Sequence, residues 1–585
     1  LTRGPLVPGV LRPGAILFAF LIAVTATAQE EAVSERAFFA PVEVPLVNVE
    51  VYAADRDGRP IPGLSSSDFE LFEDGEPVAI SHFFASPAVA VAGPTTTIPV
   101  LDVGPKISQD LYLIIFVDES NLSETNRHDA CDRLRGFLTE LPPGSKVMVE
   151  SHGGTTRMRQ DFTDDIALTA ASLERLRSGG GKSLQSDRDL IRAEMQTLAA
   201  QTWREGGALP TDRSLRPLEM SDYGSRSPMN YLQNVRAYSQ EASVRTELTL
   251  EALERLVRSV AGIRGRKAVF LVSDGIEVAP GAELFRAWQQ IFAEVMRATA
   301  INPTSEAQRY DVSDSIEDLI EHANTHRVTI HALGSTGERA FSSVRADQEG
   351  GVTLTAGLDS GQRFKAGRGE AIMAEATGGQ SFIINRRLPA ELSELAVELG
   401  SYYSMAYRPP SPSDGRYHKI EVRVAEQDMT LRHRKGYRAL RDRDRISDTT
   451  LAAAAFGVTD NPLEVSAESQ EQQMRPDGQF LVPIVVRVPF AQLSLLPQTA
   501  EHEGRVTITV AVKDEFGALS KVQRRVYPVK IPHDQFLSAL SQNAEFIMGL
   551  IMKPGSQRVA VGVRDELGNV DSTVTVDVNV GRLDL

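Results

Sequence analysis

Oxygen-bearing side chains crowd two places in this 585-residue chain: Asp118, Ser120, Asn121 and Ser123 in one short stretch, and Ser273-Asp274-Gly275 much later. Carboxylates and hydroxyls without thiolate or imidazole make a hard donor set. Such a set suits Mg²⁺ or Mn²⁺, which take carboxylate, hydroxyl and water. No Cys/His pair stands at zinc or nucleophile spacing, and neither His-Glu-x-x-His nor Gly-x-Ser-x-Gly occurs. Cys131 is the only cysteine, which excludes an internal disulfide. Gly179-Gly180-Gly181-Lys182-Ser183 is not a phosphate loop: Leu176 stands where its first glycine belongs, and the preceding segment has a helical pattern. His152 reads as a surface or capping residue, and His331 as a packed strand histidine.

Two buried strands must carry the oxygen ligands. Leu111 to Val117 is an unbroken apolar run, the pattern of a strand covered on both faces. A helical pattern follows over Arg127 to Leu141. Lys267 to Val272 repeats the design before Ser273-Asp274, and Arg327 to Leu333 repeats it before Gly334-Ser335. Strand, polar turn and helix in this order predict an open α/β sheet. Ligands in such sheets bind at the carboxyl ends of the strands. The alternative is that Asp118 and Ser120 only cap a helix starting near Arg127.

These residues resemble the von Willebrand factor type A (vWA) domain and its metal-ion-dependent adhesion site. Asp118 and Ser120 match the first two positions of the family's Asp-x-Ser-x-Ser motif. Leu122 departs from the third, with Ser123 one place on, and Asp274 matches the final Asp-Gly turn. Ser183 lies in the interval where the family draws a hydroxyl ligand from a Gly-rich loop. The resemblance implies a doubly wound, mostly parallel sheet. It also implies a weak Mg²⁺ or Mn²⁺ site built from Asp118, Ser120 and Asp274, with Ser183 or Ser123 completing it. A protein partner's carboxylate would take the open coordination position. The string Tyr-Tyr-Ser-Met-Ala-Tyr-Arg-Pro-Pro from Tyr402, the following Asp-Gly-Arg-Tyr-His-Lys-Ile-Glu-Val-Arg-Val, and Asp-Phe-Glu-Leu-Phe-Glu-Asp-Gly from Asp68 resemble exported bacterial proteins of the VWFA-related, acidobacterial type.

With 62 basic and 78 acidic side chains the formal charge is −16, which argues against a nucleic-acid partner. Arg3 and Arg12, the apolar run Ala15 to Val24 and Ala26-Thr27-Ala28 read as a signal peptide over 1–28. The expected mature protein is periplasmic or extracellular, with no membrane span. Period-two patterns predict a small β domain over 42–88 and an immunoglobulin-like β-sandwich over 461–585. The α/β domain is expected over 108–440, with a helical insertion near 186–262 and a β extension over 401–440; linkers are expected over 89–107 and 441–460. Three functional readings stand: a non-catalytic protein-binding module, a metal-dependent hydrolase or subunit of an assembled envelope enzyme, and a metal-free interaction scaffold. The lack of a nucleophile–base pair favours the first.

Overall fold

Val47–Ala54 (β1), Phe69–Glu73 (β2), Glu76–Val78 (β3) and Ile80–Ala85 (β4) form the first strands. The structure, a computed structural model, describes residues 46–56, 58–89, 110–178, 184–204, 228–292, 301–334, 368–411, 414–424 and 429–581. The signal-peptide segment, Ser183 and most of the 89–107 segment therefore lie outside the described residues.

The central sheet begins with Leu111–Asp118 (β5), buried along its whole length. Glu124–Leu138 (α1), Lys146–His152 (β6), Thr156–Thr163 (β7) and Ile166–Arg177 (α2) follow. Helices Leu184–Arg204 (α3) and Pro228–Val260 (α4) precede Arg266–Val272 (β8). Ala282–Ile291 (α5), Pro303–Gln308 (α6) and Ser313–Thr325 (α7) lead to Val328–Gly334 (β9). Arg368–Thr377 (α8), Ser381–Ile383 (β10) and Leu388–Gly400 (α9) complete the unit. The order is β10-β9-β8-β5-β6-β7, parallel throughout except that edge strand β7 runs antiparallel to β6. Both faces are covered: α1, α2 and α9 pack on one, and the end of α4 with α7 and α8 on the other. This is the doubly wound, mostly parallel sheet that the sequence predicts.

The expected insertion over 186–262 divides differently. Leu250, Leu253, Leu256, Val257 and Val260 of α4 pack directly on the sheet. Only the earlier part of α4 belongs to a separate apolar cluster, with Met195, Leu284, Phe285 and Trp288. One amphipathic helix serves both cores, and its periodicity alone does not show where one ends.

The two β segments at 42–88 and 401–440 are one body, which corrects the expectation of a small domain and a separate extension. Tyr403–Tyr407 (β11), Tyr417–Val424 (β12), Thr430–Arg432 (β13) and Gly436–Arg438 (β14) interleave with the first strands. The sheets are β13-β1-β11-β4 and β14-β12-β2-β3. Val49, Val51, Phe69 and Leu71 share their core with Tyr403, Met405, Ile420 and Val422. Four short strands alone bury too little apolar surface for a stable core; the second set supplies the missing half.

The expected linker over 441–460 is also corrected. Asp442–Phe456 (α10) is a helix closed by Gly457 at φ 69°. Ala452 packs into the core on one face of the central sheet. Ala453 and Ala454 pack against Ala511 and Ala560 of the following domain. Beyond it, Phe480–Pro489 (β15) pairs with Asn543–Met552 (β18), while Glu501–Lys513 (β16) lies between Gln523–Pro532 (β17) and Gly555–Asp565 (β19). The two sheets enclose one valine-rich core. The described residues form one compact unit, and among them no helix is long and apolar enough to cross a membrane.

Candidate functional site

Val117 on β5 stands beside Val272 on β8, so Asp118 and Ser273-Asp274 leave the sheet side by side at its carboxyl edge. The strand order reverses here, at the switch point where doubly wound sheets bind ligands. Asp118 is 1 % exposed. Its Oδ1 accepts the N–H groups of Ser120 and Asn121, both at 3.2 Å. Its Oδ2 accepts the Ser273 hydroxyl at 3.2 Å and the Thr249 hydroxyl at 3.3 Å. Burial pushes the Asp118 acid up to about 6 against the pull of these four donors.

Asp274 is fully buried and ties three segments together. Its Oδ2 accepts the Ser123 N–H at 2.6 Å, and its Oδ1 accepts the Asn126 amide at 2.7 Å. Its own N–H donates to the Asn121 carbonyl at 2.8 Å. Asn121 returns across the gap, donating its side-chain amide to the Gly275 carbonyl.

Ser123 is the N-cap of α1: its hydroxyl accepts the Asn126 N–H at 3.3 Å. The helix therefore starts at Glu124 rather than near Arg127, and neither Asp118 nor Ser120 caps it. Asp118 instead fastens its own turn in the Asx manner. Ser120 is half-buried, and its carbonyl accepts the Arg245 guanidinium at 3.3 Å. Leu122 is completely buried among the side chains between α1 and the sheet. The residue that breaks the family motif is thus a core anchor. Asp118, Ser120, Ser123 and Asp274 come together at one edge; Ser183 lies outside the described residues.

Sequence reasoning missed Thr249, Asn126 and Glu370. Thr249 was hidden inside a helical pattern, although a hydroxyl on the apolar stripe of α4 is a visible irregularity. Glu370, 2 % exposed, enters from the first turn of α8 and accepts the backbone N–H groups of Ile276 and Gly275. Burial first, then the neighbouring Asp274 and Asp118, push its acid up to about 8. Its Oε1 is buried without a hydrogen-bond partner. Three buried acids thus converge on one strand edge. Beside them opens a cleft lined by Asn121, Arg188, Tyr238, Arg245, Asp274 and Glu277. Arg188 pairs there with Glu277 at 3.1 Å and with Glu283 at 3.3 Å.

The donor chemistry fits a hard divalent cation: carboxylates and hydroxyls, with one buried carboxylate oxygen unpartnered. His152 is no part of this set and is not at the surface. It is 2 % exposed, stacks on Phe116 at 6.4 Å and pairs with the Thr156 hydroxyl at 3.2 Å. Burial raises the Cys131 thiol to about 12, which makes it a poor nucleophile.

No family model matches the chain, and no curated protein matches it. Among solved structures it is similar to a von Willebrand factor type A protein from Catenulispora acidiphila, at 10 % identity over 81 % of this chain and 66 % of that one, with a TM-score of 0.24. An aerotolerance-related membrane protein from Bacteroides fragilis aligns at 11 % identity over 49 % of this chain and 98 % of its own, with a TM-score of 0.20. The manganese-loaded TRAP protein of Plasmodium vivax aligns at 9 % identity over 56 % and 94 %, with a TM-score of 0.18. These scores are too low for the likenesses to bear on site or function.

Proposed function

We propose that this is an exported, non-catalytic binding protein of the vWA type, which holds a protein partner at the carboxyl edge of its central sheet through a divalent cation. The observation that carries the reading is the meeting of Asp118 and Asp274, from adjacent parallel strands, with the Thr249 and Ser273 hydroxyls on one Asp118 oxygen. Asp118, Ser120 and Asp274 would hold Mg²⁺ or Mn²⁺, with Thr249 as the hydroxyl arriving from a neighbouring helix. Bound, the cation supplies positive charge to attract an anionic group. The protein's own residues do the rest. Asp274 fixes the two turns against each other, and Arg245 lies at the rim beside the cleft. The groups on Asp118 are hydroxyls and backbone N–H, and those on Asp274 a backbone N–H and an amide. Such a shell suits binding better than hydrolysis.

Calorimetric titration with Mg²⁺ and Mn²⁺ tests the site. Saturable heat is expected for the wild type, with at least tenfold weaker binding in Asp118→Asn and Thr249→Val. Identical heats for all three proteins would remove the cation from the proposal. Pull-down from the exported fraction with and without Mg²⁺ then reports whether partner capture depends on the cation.

A further inference from the structure

A group of side chains able to ligate a metal lies in the N-terminal sandwich, apart from the sheet-edge residues. Glu73 closes β2 and is 4 % exposed. Asp74 follows at φ 53° in a turn with Gly75 at φ 89°, a conformation that Asp and Gly tolerate. His418, buried on β12, faces both. Its Nδ1 lies 2.9 Å from Asp74 Oδ2 and 3.7 Å from Glu73 Oε1, and the three donor atoms lie within 4.8 Å of one another. Around a tetrahedral ion with bonds of about 2.0–2.2 Å, donors stand roughly 3.3–3.6 Å apart. The separations of 2.9 and 3.7 Å bracket that range.

Each ligand's other polar atom is already held. Asp74 Oδ1 accepts the Lys419 N–H at 2.8 Å. Glu73 Oε2 accepts the Tyr407 hydroxyl at 2.5 Å and the Tyr437 hydroxyl at 3.0 Å. His418 Nε2 lies 3.2 Å from Asp414 Oδ1, which the Arg416 N–H also holds at 2.8 Å. A carboxylate behind the far ring nitrogen is the usual device for orienting a metal-binding histidine. The Tyr437 ring stacks on the imidazole at 5.4 Å and limits its rotation. The Asp74 side chain is half exposed, which opens the point to solvent.

We propose that Glu73, Asp74 and His418 bind a transition-metal dication of the zinc class, with a fourth position open to water. One imidazole with two carboxylates favours Zn²⁺ or Mn²⁺ over the all-oxygen cages of Ca²⁺ and Mg²⁺. Bound there, the ion joins a hairpin from the start of the chain to a strand that follows the whole central sheet. It therefore acts as a clasp on the sandwich. Without metal, the same point is closed by the contact between His418 Nδ1 and Asp74 Oδ2.

Equilibrium dialysis of the full chain against Zn²⁺ separates these states, with the absorption of Co²⁺-loaded protein as the second readout. Asp74→Asn keeps an acceptor for the Lys419 N–H and suits the turn, so it removes charge with little strain. The wild type should bind one zinc at this point and give a cobalt spectrum of nitrogen–oxygen ligation. Asp74→Asn should weaken zinc binding at least tenfold and lose that spectrum. Absence of zinc binding by the wild type, or equal affinity in Asp74→Asn, would overturn the proposal.

Discussion

Leu122 carries the departure from the family motif, and its burial decides how that departure works. A serine there would match the pattern but would remove an apolar side chain from the packing between α1 and the sheet. It would also bury a hydroxyl. Leu122→Ser should therefore destabilise the protein by about 2–5 kcal/mol without strengthening Mg²⁺ binding. Urea unfolding alongside calorimetry checks this, and a variant that binds the cation more tightly at unchanged stability would contradict it. Asp118 and Asp274 were legible from sequence because each ends an apolar run. Thr249 and Glu370 were not, because a polar residue within a helical pattern does not reveal which strand end of another segment it faces.

Helix α10 shows how an element can be misread from composition. Its charged start and alanine-rich end look like a linker, yet small side chains are what let a helix lie close to two domains at once. Thr450 is fully buried on its domain-facing side. A Cβ at Gly562 on β19 would press on the Thr450 hydroxyl and stand 2.8 Å from that of Thr509. Gly562→Ala should thus cost about 1–3 kcal/mol through overpacking. Thermal unfolding reports it, and an unchanged midpoint would mean that helix and sheet can separate freely. The strands of the central sheet followed from periodicity, since an apolar run is a local property.

At the scale of the molecule, the sandwich built from both flanks of the central unit meets it through partly buried charge. Glu50 on β1 pairs with Arg327, which sits at φ 57° before β9. Arg434 donates to the carbonyls of Asn324 and Asn48. Arg266 stacks over the Tyr402 ring at 3.8 Å. Burial alone would raise the Glu50 acid, but the Arg327 and Arg434 guanidiniums hold it below the usual carboxylate range. A depressed folded-state value means that this stabilisation is present above the unfolded value of 4.5 and is lost as pH falls through the folded one. Glu50→Gln should lower stability by about 1–3 kcal/mol at pH 7 and flatten part of the acid limb. Urea midpoints at pH 7 and in acid test it; equal midpoints for variant and wild type at pH 7 would show that the contact is not stabilising.

The sequence by itself determined the central α/β class, the strand ends bearing Asp118 and Asp274, and the hard-oxygen character of that edge. These are local: hydrophobic period and residue chemistry are written along the chain. Only the tertiary structure decided that β1 pairs with β11 and β2 with β12, that Leu122 faces inward, and that Glu73, Asp74 and His418 share one point. Those depend on which distant segments can bury their apolar faces against each other. No local pattern encodes the partner of a strand, because any alternating face can be covered by any other of matching shape.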